Sequence, residues 1–95
     1  MPEDIRQISI PAGTNNFVTV KPPTNAYILL NVNVAPSKIE FITSEGVIME
    51  FNVSPSTFGF AFLTGGFPVP VKYGWTVKIY GHATLNINGF VIFYW

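Results

Sequence analysis

Ninety-five residues bound the chain to a single domain, 1–95, with room for one modest hydrophobic core. Five acids balance five bases and only 11% of residues are charged, so the chain lacks the long-range field that gathers nucleic acid or an anionic lipid surface. With no cysteine there is neither a disulfide framework nor thiolate chemistry.

Val, Ile, Thr, Phe, Tyr and Trp supply 43 residues, against 21 from Ala, Leu, Glu, Lys, Gln, Arg and Met. That balance favours pleated, half-buried surfaces over helices. Ile5 to Ile10 alternates, with Ile8 and Ile10 on one side of Ser9. A turn over Pro11–Asn16 leads to Phe17–Lys21, which Pro22 and Pro23 end because they donate no ladder hydrogen bond. Ala26–Val34 follows, with Ile28, Leu30, Val32 and Val34 on one face and Tyr27, Leu29, Asn31 and Asn33 on the other. Lys38–Thr43 points Ile39 and Phe41 inward, and Ser44-Glu45-Gly46 is short enough for a hairpin into Val47–Val53. In that strand Val47, Met49, Phe51 and Val53 are expected inside and Ile48, Glu50 and Asn52 outside.

Phe58–Leu63 reads as a further strand, and Gly65–Tyr73 as the longest irregular segment. Trp75–Tyr80 alternates again, opposing Trp75, Val77 and Ile79 to Thr76, Lys78 and Tyr80. Ala83–Ile87 and Phe90–Trp95 flank Asn88-Gly89, the strongest short hairpin signal in the chain. A two-residue turn there sets Ile87 against Phe90, Leu85 against Ile92 and Ala83 against Tyr94. About eight to nine short antiparallel strands predict an all-β sandwich, jelly-roll-like or otherwise Greek-key, ahead of a closed barrel.

Catalysis has little to draw on. His82 is the sole histidine, and Glu3 and Asp4 lie near one end. General acid–base or nucleophilic chemistry needs a titratable pair or an activated side chain at one place. His82 beside Gly81 reads as a turn residue bonded to backbone. No catalytic residue, metal ligand or cofactor is assigned, and a non-enzyme is expected. Gly59-Phe-Ala-Phe-Leu63 resembles the aromatic motif of RNA-recognition and cold-shock domains. However, Phe58 and Gly65 stand where that pattern wants a base and an aromatic, so RNA is not an expected partner. Asn52-Val-Ser54 is a formal glycosylation acceptor followed by an unfavourable Pro55. No secretory signal or membrane-spanning helix is visible.

The apolar excess is more informative. Ala26–Leu30, Phe58–Leu63 and Phe90–Trp95 are apolar on both sides, more than one core of this size accommodates. Burying each large apolar side chain is worth roughly 1.5–3 kcal/mol. The sequence therefore predicts a subunit interface on Val91, Phe93 and Trp95, with Tyr27 and Leu29. It would serve a homo-oligomer, a trimer being favoured, or docking onto a larger protein lattice such as a capsid. The rival expectation is a carbohydrate-binding module using Phe67, Tyr73, Trp75 and Tyr80 as an aromatic platform, with a glycan as partner.

Ile8-Ser-Ile-Pro-Ala-Gly13, Phe17-Val-Thr-Val20 and Tyr73-Gly-Trp-Thr-Val-Lys-Ile-Tyr80, with the low charge and aromatic end, give the chain a general character. It resembles the small β-sandwich structural proteins of phages and archaeal viruses, such as decoration, cement and spike proteins. The resemblance implies a non-enzymatic role in a symmetric assembly and location in a virion, the alternative being an extracellular or cell-surface protein.

Overall fold

A computed structural model describes residues 2–52 and 69–95. Among these lie eight strands: β1 (Glu3–Ile10), β2 (Phe17–Val20), β3 (Ala26–Val32), β4 (Lys38–Thr43), β5 (Gly46–Asn52), β6 (Val69–Val71), β7 (Thr76–Tyr80) and β8 (Ile87–Tyr94). They form two four-stranded sheets, ordered β1-β8-β3-β6 and β2-β7-β4-β5, and every pairing is antiparallel. The first strand pairs with the eighth, the second with the seventh, the third with the sixth and the fourth with the fifth. The chain is one long hairpin with its tip between β4 and β5, rolled until β8 meets β3 and β7 meets β4. Those connections make a two-sheet jelly roll.

Alternation fills the space between the sheets. Ile8, Ile10, Ile28, Leu30, Val91 and Phe93 come from the first sheet, and Val20, Ile39, Phe41, Val77 and Ile79 from the second. Val32, Val34, Met49 and Trp75 pack against this cluster as partly buried neighbours. The β4–β5 hairpin forms as expected. Gly46 takes a φ of 101°, and Thr43 Oγ1 accepts from the Glu45 N–H at 3.1 Å.

Four expectations need correction. Asn88-Gly89 is not a turn. Both residues lie inside β8, opposite Ser9 and Ile8 of β1, and the segment expected as the strand Ala83–Ile87 is a loop until Ile87. Gly89 serves close approach rather than a reversal. A Cβ there would meet the Asn31 carbonyl oxygen and stand 2.7 Å from Val32 Cα, so only glycine lets β3 lie this close to β8. The preceding loop is fixed by side chains. His82 Nδ1 accepts from the Thr84 and Leu85 N–H groups at 3.1 and 3.2 Å, and Asn86 Oδ1 accepts from the Ala12 N–H at 2.9 Å.

Val47 is 51% exposed instead of inward. The β4–β5 register shifts between Phe41 and Ile42, so Phe41 faces Met49 while Ile42 faces Val47. One extra residue in the bulge sends Val47 to the other side. The region expected to be irregular, Gly65–Tyr73, contains β6. Its Pro70 is tolerated because, among the described residues, β6 has a partner strand on one side only. The expected strand Phe58–Leu63, Val53 and Asn52-Val-Ser54 beyond its first residue lie outside the described residues.

Candidate functional site

The register of β8 decides which apolar residues the domain leaves uncovered. Val91 and Phe93 are 0% exposed and belong to the core, with the Arg6 guanidinium 5.1 Å from the Phe93 ring centre. They are therefore not available as an interface, contrary to the expectation from sequence. The assumed hairpin had set β8's inward residues on its outside. Trp95, one residue past β8, is 39% exposed, and its N–H donates to the Pro2 carbonyl at 3.1 Å. Tyr27 and Leu29 do point outward on β3.

The outer face of the β1-β8-β3-β6 sheet can be assembled row by row. One row runs Ile5, Ile92, Leu29 across β1, β8 and β3, and the next runs Glu3, Tyr94, Tyr27, Pro70. A third runs Gln7, Phe90, Asn31. Tyr27 and Tyr94 stack with ring centres 5.7 Å apart at 30°. Ile5, Tyr27 and Phe90 are 54%, 45% and 43% exposed. Glu3 is the one formal charge in these three rows. At strand spacings of about 4.8 Å and two-residue repeats of about 6.6 Å, the positions in these rows cover about 300 Å² in projection. An apolar patch of a few hundred Å² often marks a contact site. At its β3–β6 border a shallow depression is lined by Asn25, Ala26, Tyr27, Pro70, Val71 and Lys72.

The other sheet presents a different surface. Tyr80 faces Phe17 on β2, with ring centres 5.6 Å apart. Its hydroxyl donates to Glu40 Oε1 at 2.6 Å, which lets Glu40 be buried, its side chain 11% exposed. Lys38 Nζ lies 4.4 Å from the Tyr80 ring centre and 4.0 Å from Glu40 Oε2. Lys78 Nζ lies 4.0 Å from the Phe17 ring centre and 5.1 Å from that of Tyr80. The two ammonium groups thus occupy the ring surfaces on which a sugar would stack.

The expected aromatic platform is dispersed. Trp75 packs against the core on the side of β7 opposite to Tyr80, as alternation requires. Tyr73 is 73% exposed in the turn before β7, its N–H held by Asn25 Oδ1 at 2.9 Å. Phe67 lies outside the described residues. The Phe17–Tyr80 pair with its lysines was not foreseen; Lys38 and Tyr80 become neighbours only through the β4–β7 register. Among the described residues no three of His, Cys, Asp and Glu gather where they could hold a metal ion. No family model, no curated protein and no solved structure matches the chain.

Proposed function

We propose that the chain is a non-enzymatic structural subunit that assembles with copies of itself through the outer face of the β1-β8-β3-β6 sheet, as a component of a virus particle. The observation that carries this reading is the uncovered apolar surface of Ile5, Ile92, Leu29, Tyr27, Tyr94 and Phe90. A second copy of the same face suits it. The face is almost uncharged, so it offers nothing for a strongly charged partner to recognise. Two such faces bury about 600 Å² in projection, so the contact reaches about 1,000 Å², the lower bound of a specific interface, by recruiting the borders of the face as well. The virion role draws on the resemblance in composition and local sequence, and on a jelly-roll topology that viral capsid proteins use repeatedly. Lectins use that topology too, but topology alone does not assign function. Carbohydrate binding has less support, because Trp75 and Tyr80 do not share a face and two lysines cover the rings of Phe17 and Tyr80.

The test is mass by light scattering after size exclusion, over a wide range of protein concentration. The expected result is a multimer whose mass Tyr27→Ser combined with Phe90→Ser reduces, the variant chain remaining folded. A chain that stays at 10.5 kDa at every concentration, or a double variant that assembles as before, refutes the proposal.

A further inference from the structure

β1 is an edge strand: β8 lies on one side of it, and among the described residues no strand lies on the other. Two backbone hydrogen bonds reveal which of its groups face the open side. The Trp95 N–H donates to the Pro2 carbonyl, and the Asn33 N–H donates to the Asn88 carbonyl. In an antiparallel ladder, bonded and non-bonded pairs alternate. The first bond makes Pro2, Asp4, Arg6, Ile8 and Ile10 the residues of β1 that bond β8. The second assigns Asn88, Phe90, Ile92 and Tyr94 of β8 to β3, which leaves the alternate residues of β8 for β1, in agreement. Glu3, Ile5, Gln7 and Ser9 therefore direct their N–H and C=O groups to the open edge. None of them is proline, and all four are exposed.

The side chains of this edge carry a pattern of their own. Asp4 and Arg6 flank Ile5, and Arg6 Nη2 lies 2.8 Å from Asp4 Oδ2. Natural proteins guard an open edge with charges that repel a second strand. Opposite charges two residues apart do the reverse for one particular partner, an identical strand running antiparallel about Ile5. In that arrangement Asp4 stands opposite Arg6 of the copy, and Arg6 opposite its Asp4. Both are non-hydrogen-bonded positions, where side chains come closest. Ile5 meets Ile5 of the copy, and Glu3 meets Gln7. These are pairs with free backbone groups, so the ladder parity and the charge pattern select the same register. An axis at Arg6 instead sets the two guanidinium groups against each other, and an axis at Gln7 sets Arg6 against Ile8.

We infer that β1 pairs with β1 of a second copy about a twofold axis through Ile5, extending the sheet from four strands to eight. This contact is separate from the outer-face contact proposed above, because it uses the edge and its charges and not Tyr27 or Phe90. It also joins the two apolar faces, since the row Leu29, Ile92, Ile5 continues directly into Ile5, Ile92 and Leu29 of the copy.

The experiment uses charge reversal in the full chain carrying Tyr27→Ser and Phe90→Ser, which leaves the edge as the contact under test, with mass by light scattering as the readout and thermal unfolding as the folding control. Arg6→Asp alone and Asp4→Arg alone are each expected to weaken self-association about tenfold or more, since two attractive cross-strand pairs become repulsive. The combined Asp4→Arg, Arg6→Asp chain is expected to dimerise like the parent, because the swapped charges match again. An equimolar mixture of the two single variants is expected to form mixed dimers, one chain contributing two acids and the other two bases. A purely internal role for the Asp4–Arg6 pair would not produce that rescue. Ile5→Pro supplies a second variant. It removes an N–H that faces solvent in the isolated domain, so the fold is retained, whereas the twofold ladder loses its central pair. Single reversals that associate as tightly as the parent, a mixture that stays monomeric, or a folded Ile5→Pro chain that still dimerises would each overturn the inference. So would a folded Tyr27→Ser, Phe90→Ser chain that is monomeric at every concentration, a result that leaves the outer-face contact standing and removes the edge contact.

Discussion

Gly89→Ala is the sharpest test of how β3 and β8 come together. The added methyl would stand 2.7 Å from Val32 Cα and closer still to the Asn31 carbonyl oxygen. Both are main-chain atoms within the sheet, so neither can rotate away, and the two strands must separate instead. Overpacking of this kind costs up to about 3 kcal/mol. A domain of this length is stable by about 5–14 kcal/mol, so the loss is a substantial share of the total. At about 4–8 °C per kcal/mol for a domain of this size, the unfolding midpoint should fall by up to about 12–24 °C. Gly74→Ala is the control. Its φ of 92° is unfavourable for alanine, but nothing lies within 4 Å of the new Cβ, so it should cost about 1 kcal/mol. Calorimetry on the three chains separates crowding from backbone conformation. If Gly89→Ala proves no more damaging than Gly74→Ala, Gly89 does not lie against β3, and the hairpin turn suggested by Asn88-Gly89 returns.

Phe93→Ala should destabilise the isolated domain by about 3–5 kcal/mol by opening a cavity at a fully buried site. Urea titration measures this, and a change in assembly with unchanged stability would put Phe93 on the surface. Tyr80→Phe removes the hydroxyl that donates to the largely buried Glu40. A loss of about 1–3 kcal/mol is expected by the same titration, and an unchanged midpoint would mean that Lys38 and solvent satisfy that carboxylate alone.

Period-two patterning exposed the parts of the fold governed by simple burial. Ile8 with Ile10, Ile28 with Leu30, Ile39 with Phe41 and Val77 with Ile79 all read correctly, because polar residues mark the other flank of each strand, Asn31 and Asn33 doing so where Ala26–Leu30 is apolar on both sides. Where the flanks are alike, local reading fails. Phe90-Ile92-Tyr94 and Val91-Phe93-Trp95 are equally apolar, and only the pairing with β1 and β3 decides which set goes inside. The excess of apolar surface was thus legible while its address was not; Tyr27 and Leu29 were placed outward, Val91 and Phe93 were not placed inward. Gly89 misled for a related reason. Glycine beside asparagine favours a tight turn when neighbours are ignored, yet the same absence of a side chain admits a neighbouring strand. The bulge that turns Val47 outward and the three-residue β6 with its proline are likewise products of pairing partners far along the chain.

The nesting of strand pairs bears on the order in which the domain can be built. Closing β1 on β8 directly from an unfolded chain spans most of its length and costs about 4 kcal/mol in loop entropy. Once β2 and β7 are paired, only the six residues at 11–16 and the six at 81–86 remain to be closed, and the cost falls to about 2 kcal/mol. Polymer statistics therefore favour zipping from the β4–β5 tip outward, with β1 laid down late. The strand whose open side matches a second copy would then be finished only when the rest of the chain is in place, so that copies meet as completed domains and the unpaired edge is kept from early, indiscriminate pairing.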